Sequence, residues 1–220
     1  MLGTKKVSKK DNYLKIALAK GRLAEKAIIL FKKIGFDFSA HEKDSRKLIF
    51  EDKKNKLQFF FVKPVDVPTY VEYGASDIGI TGEDIILEEA KDVYEVLDLK
   101  YAKCKIVIAG NEKLRGKLNA IHNKRIATKY PHITQEYFSN KYKESVEIIK
   151  LSGSVELGPL VSLSEIIVDL VESGGTLKEN GLVVLDEIAN SSARIIVNRA
   201  SRMLMKERID SIVKDLKRVI

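Results

Sequence analysis

Short aliphatic runs and amphipathic stretches take turns along nearly the whole chain, and that alternation limits the fold more than any other feature. Leu14-Lys-Ile-Ala-Leu-Ala19 reads as a buried strand, and Leu23, Ala27, Leu30, Phe31 and Ile34 then mark one face of a helix that Gly35 ends. Lys47-Leu-Ile-Phe50 and Leu57-Gln-Phe-Phe-Phe-Val62 read as strands about the turn Lys53-Lys-Asn-Lys56. A helix over 65–73 enters through Pro64 and Pro68, and a strand over 77–82 and a helix over 83–90 follow. A second set begins with strands over 105–109, 125–128 and 146–151 and a helix over 133–140. Leu163, Ile166, Ile167, Leu170 and Val171 predict another helix, with Ser162 and Glu165 as its capping box. Strands over 182–185 and 194–197 and an amphipathic helix over 209–220 close the chain. Strands alternating with helices predict mainly parallel sheets flanked by helices. Two such sets predict an α/β fold of two lobes with a central cleft, where strand C-termini and helix N-termini collect ligands. The lobes are expected at 13–100 plus about 190–220, and at about 101–189.

Composition narrows the class further. A 220-residue chain with 45% hydrophobic and 32% charged residues is ordinary for a soluble globular protein. No window approaches the roughly 20 apolar residues of a membrane span, and the polar start lacks the apolar core of a secretory signal. The single cysteine, Cys104, rules out an internal disulfide framework and fits the cytoplasm; its apolar run predicts a buried thiol. The net charge of +8 sits at the ends. Residues 1–12 carry four lysines against one aspartate, and residues 194–220 eight Lys/Arg against three acids, which accounts for the whole excess. The neutral body argues against a nucleic-acid-binding domain, whose basic patch belongs on the fold itself. Residues 1–12 read as a disordered basic tail.

Chemistry concentrates in Asp169-Leu-Val-Glu172-Ser173-Gly174-Gly175-Thr176-Leu177. Its glycines allow close approach and positive φ, so backbone N–H groups and two hydroxyls can turn toward a phosphate. Carboxylates beside it would repel a phosphate but suit hydroxyls or a divalent metal, the combination a phosphoribosyl donor presents. A helix ending in Ser-Gly-Gly explains the stretch as well, and a solvated acidic face explains Glu165, Asp169 and Glu172 on one helical side. Lys20-Gly21-Arg22, where a strand hands over to a helix, fits an anion site or a surface turn. Ser45-Arg46-Lys47 puts two more cations at a strand mouth. The Asp77–Gly82 exit could admit a base or phosphate, and Glu156 lies in a loop between a strand and the capped helix. His41, His122 and His132 show no ligand spacing with Cys104, so no metal site is read.

Together these segments resemble one family, the short-form catalytic subunit of ATP phosphoribosyltransferase. The likeness spans about residues 14–197 and rests on Ala19-Lys20-Gly21-Arg22, Ser45-Arg46-Lys47-Leu-Ile-Phe50, Asp66-Val-Pro-Thr-Tyr-Val71, Gly74-Ala-Ser-Asp77-Ile-Gly, Tyr94-Glu-Val-Leu-Asp-Leu-Lys100, Arg125-Ile-Ala-Thr-Lys-Tyr130, the stretch from Asp169 to Leu177, and Ser191-Ser-Ala-Arg-Ile-Ile-Val-Asn198 in that order. The resemblance implies transfer of 5-phosphoribosyl from phosphoribosyl pyrophosphate to N1 of ATP, releasing pyrophosphate, as the first step of histidine biosynthesis. It implies a fold similar to type II periplasmic binding proteins, the chain crossing twice between lobes, and Mg²⁺ bound mainly through substrate phosphates. Ser173, Gly174, Gly175 and Thr176 then hold the 5-phosphate, and Asp169, with Glu156, the ribose hydroxyls. Arg22, Arg46 and Lys47 match the catalytic cations facing pyrophosphate and ATP phosphates, with Lys20 and Gly21 beside them. Ser162-Leu-Ser-Glu165 departs from the family's usual Gly-Leu-Ala/Gly-Asp while keeping small and acidic character. The chain's end at Ile220 implies a separate regulatory subunit resembling histidyl-tRNA synthetase and a homodimer within a hetero-oligomer, without nucleic acid or membrane. The competing class is a two-lobed small-molecule binding or effector domain without chemistry.

Overall fold

A computed structural model describes residues 13–39, 48–121 and 123–220. The tail 1–12, Ser45, Arg46, Lys47, His41 and His122 lie outside the described residues. In chain order the elements are β1 (Leu14–Ala19), α1 (Arg22–Lys33), β2 (Ile49–Asp52), β3 (Leu57–Val62), α2 (Val67–Glu72), β4 (Ile78–Gly82), α3 (Glu83–Glu89), β5 (Tyr94–Asp98) and β6 (Cys104–Asn111). There follow β7 (Arg125–Thr128), α4 (Pro131–Tyr137), β8 (Glu147–Lys150), α5 (Leu157–Leu160), β9 (Ile166–Val171), α6 (Gly175–Glu179), β10 (Leu182–Ser191), β11 (Ala193–Val197), α7 (Arg199–Leu204) and α8 (Lys206–Lys217).

These elements form two compact units. One holds the described residues up to Thr81 with Lys91–Leu99 and Arg194–Ile220; the other holds Gly82–Ala90 and Lys100–Ala193. In this division the chain changes unit after Thr81, Ala90, Leu99 and Ala193. Helix α3, expected in the first lobe, belongs to the second unit.

The first unit's sheet has the order β2-β3-β1-β4-β11-β5. Its centre is parallel, with β1 between β3 and β4, while β2 and β5 pair antiparallel at its ends. Burial on both sides explains why Leu14 to Ala19 alternates so little: Leu14, Ile16, Ala17, Leu18 and Ala19 are all buried. Helix α1 turns Ala24, Ala27 and Phe31 inward. There Phe31, Phe38 and Phe59 stack, the last two 4.2 Å apart between ring centres. Each such ring contributes on the order of 3 kcal/mol by leaving water.

The second unit's sheet has the order β10-β6-β9-β7-β8. β9, β7 and β8 run parallel, and β6 and β10 antiparallel to their neighbours. Ile106, Ile108, Ile126, Val168, Ile133 and Phe138 pack one face. Val107, Ala109, Ala127, Ile167, Val155 and Leu177 pack the other.

That double burial explains the main misreading of the sequence. Residues 166–171 form strand β9, not a helix. A short apolar run covered on both faces loses the period-2 alternation that marks a strand, and periodicity cannot separate it from a buried helical turn. Ser162 has φ 60°, so it does not cap a helix. Glu165 accepts from the Arg125 backbone N–H at 2.7 Å and from its guanidinium Nη2 at 2.6 Å, fastening the start of β9 to the start of β7. The supposed acidic helical face therefore does not exist. Glu165 and Asp169 stand near opposite ends of a strand, roughly 13 Å apart along it, and Glu172 lies past its end.

Candidate active site

In the second unit, the C-terminal ends of parallel strands β7 and β9 lie side by side, with Thr128 opposite Val168. Asp169 follows Val168 and faces Val107 across the β6 ladder. Burial pushes its carboxyl up from the ordinary aspartate range; the Leu170 N–H and the Lys129 ammonium pull it down, and Glu156 pushes it up again. Glu156 is half-buried just ahead of α5, held there by the buried side chain of Val155. Asp169, Lys129 and Glu156 thus share one corner.

The chain leaves β9 through Glu172 and Ser173, turns at Gly174 and enters α6 at Gly175. Gly174 has φ 76°, a left-handed conformation that a residue with a Cβ adopts only at a cost. Ser173 Oγ accepts weakly from the Gly175 N–H at 3.5 Å, and Thr176 is exposed on the first turn. Leu177, buried against Val107 and Ile167, fixes that turn to the sheet. Strand, glycine turn and helix start replace the helix-to-loop arrangement expected from sequence, and they keep the phosphate-binding logic: N–H groups at a helix start accept an anion. A hollow of about 470 Å³ opens beside the loop, walled by Val107, Val171, Glu172, Ser173 and Gly174, with Lys105 at its side.

Sequence reasoning missed a second cluster in this unit. Asp84, buried at the start of α3, accepts from Ser191 Oγ at 3.0 Å and from the Tyr130 hydroxyl at 3.2 Å. Burial raises its carboxyl against those two bonds. Burial also raises the Tyr130 hydroxyl, followed by the negative fields of Asp84 and Asp169. Both carboxylates therefore act on one phenol. Tyr130 lay inside a quoted motif and Asp84 directly after a quoted strand, but no spacing rule links residues 46 positions apart. Cys104 is half-buried with its thiol raised by burial, which makes it a poor nucleophile.

In the first unit, Lys20, Gly21 and Arg22 form the junction of β1 and α1. The Lys20 N–H bonds Val62 O at 2.9 Å, and Gly21 takes φ 90°, ψ −154°, open almost only to glycine. Lys20 and Arg22 are exposed at the head of α1. Asp77 is not part of an open loop: it accepts from the Lys15 N–H at 2.8 Å and Ser201 Oγ at 2.6 Å. Thr81 Oγ1 is likewise spent on Pro64 O at 3.2 Å.

Among the described residues no group of three or more His, Cys, Asp or Glu could hold a metal ion. His132 lies 4.0 Å from Glu136, and its backbone N–H donates to Glu88 Oε1 at 3.1 Å.

Comparison with known proteins settles the family. A sequence model described as HisG, ATP phosphoribosyltransferase, matches residues 63–218. The chain belongs to the ATP phosphoribosyltransferase family. An ATP phosphoribosyltransferase of Ruminiclostridium cellulolyticum is 59% identical over 201 residues, 91% of this chain and 94% of that protein. A solved structure, the ATP phosphoribosyl transferase (HisG:HisZ) complex from Thermotoga maritima, superposes with a TM-score of 0.80 at 38% identity, covering 94% of this chain and 98% of its own. The substrate binding protein of an amino acid ABC transporter superposes at 0.58 with 15% identity, a likeness of fold alone. As an ATP phosphoribosyltransferase, the chain carries out the first step of histidine biosynthesis, and a binding domain without chemistry is not favoured. Metal ions belong to the chemistry of ATP phosphoribosyltransferases in general.

Proposed function

We propose that the strand-end corner of the second unit is where this enzyme grips phosphoribosyl pyrophosphate. One observation supports that reading: β9 carries Asp169, with Glu156 within electrostatic reach, and leads directly into the 173–176 turn. Backbone N–H groups of Gly175 and Thr176, with the hydroxyls of Ser173 and Thr176, take the 5-phosphate. Asp169 accepts from the ribose hydroxyls, and Glu156 assists it. Arg22, with Lys20 and Gly21 at the head of α1, and Arg46 with Lys47 meet pyrophosphate and the ATP phosphates.

Adenine N1 attacks C1 of the ribose while the C1–O bond breaks and its electron pair leaves with pyrophosphate. Positive charge grows on the ribose and negative charge on the leaving group, so fixed guanidinium and ammonium groups lower the barrier where water is excluded. N1 needs no strong base, and orientation supplies much of the remaining rate. The metal is Mg²⁺ in this reading, carried mainly by the substrate phosphates, with Asp169 and Glu156 the carboxylates that would face it; when bound it would neutralise the departing charge.

The enzyme works in the cytoplasm as a homodimer within a hetero-oligomer that includes a regulatory subunit resembling histidyl-tRNA synthetase. Support comes from the likeness to the Thermotoga maritima HisG:HisZ complex. The test is formation of N1-phosphoribosyl-ATP from the two substrates, with and without such a partner. Product from ATP and the donor with Mg²⁺ supports the reading, and no product in the presence of partner and metal refutes it.

A further inference from the structure

Two carboxylates, Asp169 and Glu156, lie within electrostatic reach of each other at the proposed donor site. A polyphosphorylated sugar brought against them is repelled unless a cation stands among them. Strand register supplies one. β7 and β9 are parallel, with Ala127 opposite Ile167 and Thr128 opposite Val168. Asp169 continues β9 on the face of Ile167, the one that Val155 and Leu177 cover. Lys129 directly follows Thr128 at the end of β7, one residue past the Thr128–Val168 rung, where the backbone turns and the Tyr130 N–H donates to Thr128 Oγ1 at 2.8 Å.

Three other lysines of this unit are committed elsewhere: Lys105 to Glu187 at 2.6 Å, Lys141 to Asp186 at 2.6 Å, and Lys124 to Glu144. Lys129 is exposed, and no carboxylate among the described residues lies within ion-pair distance of its ammonium. Its field nevertheless reaches Asp169. A flexible four-carbon stem carrying a point charge can follow a phosphate over several ångströms, which a shorter side chain at this position could not.

We propose that Lys129 is a donor-binding residue, its ammonium donating to a phosphate oxygen of the phosphoribosyl donor while Asp169 accepts from the ribose hydroxyls. The inference rests on the donor site argued above. It adds a cation from the same unit as the phosphate turn to those at the head of α1 and at 46–47.

The experiment compares Lys129→Gln, Lys129→Arg and Asp169→Asn in the full chain with its regulatory partner, by initial rates against each substrate and by circular dichroism for folding. Lys129→Gln is expected to raise KM for phosphoribosyl pyrophosphate about tenfold, the scale of a lost charge-assisted hydrogen bond, while KM for ATP stays within about twofold. Lys129→Arg is expected to restore most of the loss. Inhibition by ribose 5-phosphate and by pyrophosphate identifies the phosphate, since weakened inhibition marks the group that the lysine meets. A folded Lys129→Gln enzyme with unchanged donor KM overturns the proposal. If Asp169→Asn raises donor KM in that same experiment, the donor site stands and only Lys129 is removed from it. If neither variant affects donor KM, the donor site falls as well.

Discussion

Asp169 sits where its strand withdraws it from water while its task needs it ionised. Burial is the largest influence on its carboxyl and raises it; Lys129 and the Leu170 N–H offset part of that rise. Only the ionised form accepts from two ribose hydroxyls, so donor capture should fail on the acid side above the ordinary aspartate value of about 3.9. A kcat/KM profile against phosphoribosyl pyrophosphate should show that limb, and Asp169→Asn should flatten it while lowering the plateau. Stability runs the other way. A carboxyl raised on folding contributes stability that is present below its unfolded value and lost as pH rises through the folded one. At neutral pH Asp169→Asn should therefore melt no lower than the parent, and a clear drop in Tm would assign Asp169 a structural task instead.

At the scale of elements, the sequence was legible where turns and glycines bound a segment. Helix α1, with its period of 3.6, and strands β1, β3 and β7 lie within two residues of their expected ends. Legibility failed at β9, whose two faces are both covered, and at β10, ten residues long with register shifts at Val184/Asp186 and Glu187/Ala189. At β9 burial left an apolar spacing that also fits a helix, and at β10 the bulges break the alternation that marks a strand. The proposed phosphate role of 173–176 does not depend on that error, because a glycine turn presents backbone N–H groups whichever element precedes it. The Asp84–Tyr130–Ser191 cluster was unreadable, since only folding brings residues 84, 130 and 191 together. Glu165 illustrates the consequence. It belongs to the Arg125 pair at the far end of β9, and bonding to that arginine lowers its carboxyl. Glu165→Ala should cost about 1 kcal/mol in denaturant unfolding, allowing for a partly exposed pair that also holds a backbone N–H, and leave both KM values unchanged. A carboxyl lowered on folding stabilises above its unfolded value of about 4.3 and stops doing so as pH falls through the lowered one. The difference between variant and parent should accordingly vanish in acid; a changed donor KM would return Glu165 to the site.

For the whole molecule, the charge surplus and the proposed donor segment are separate along the sequence. The surplus of +8 lies in residues 1–12 and 194–220, outside the 156–176 segment that binds the donor in this account. Removing residues 1–12, which lowers the surplus by three, should leave kcat/KM for both substrates within about twofold at physiological ionic strength, where salt screens general electrostatic attraction. A larger loss would make the lysine run part of the enzyme's machinery. The central claim is that the 169–176 segment of the second unit, and not a general attraction for phosphate, selects the donor. Calorimetric titration of the intact enzyme with phosphoribosyl pyrophosphate and, separately, with ATP tests it most directly, using Thr176→Val beside the parent. The account predicts donor affinity lower by about tenfold, the worth of one hydrogen bond to a charged oxygen, with ATP affinity unchanged. Undiminished donor affinity in the folded variant, or a loss shared equally by ATP, would contradict it.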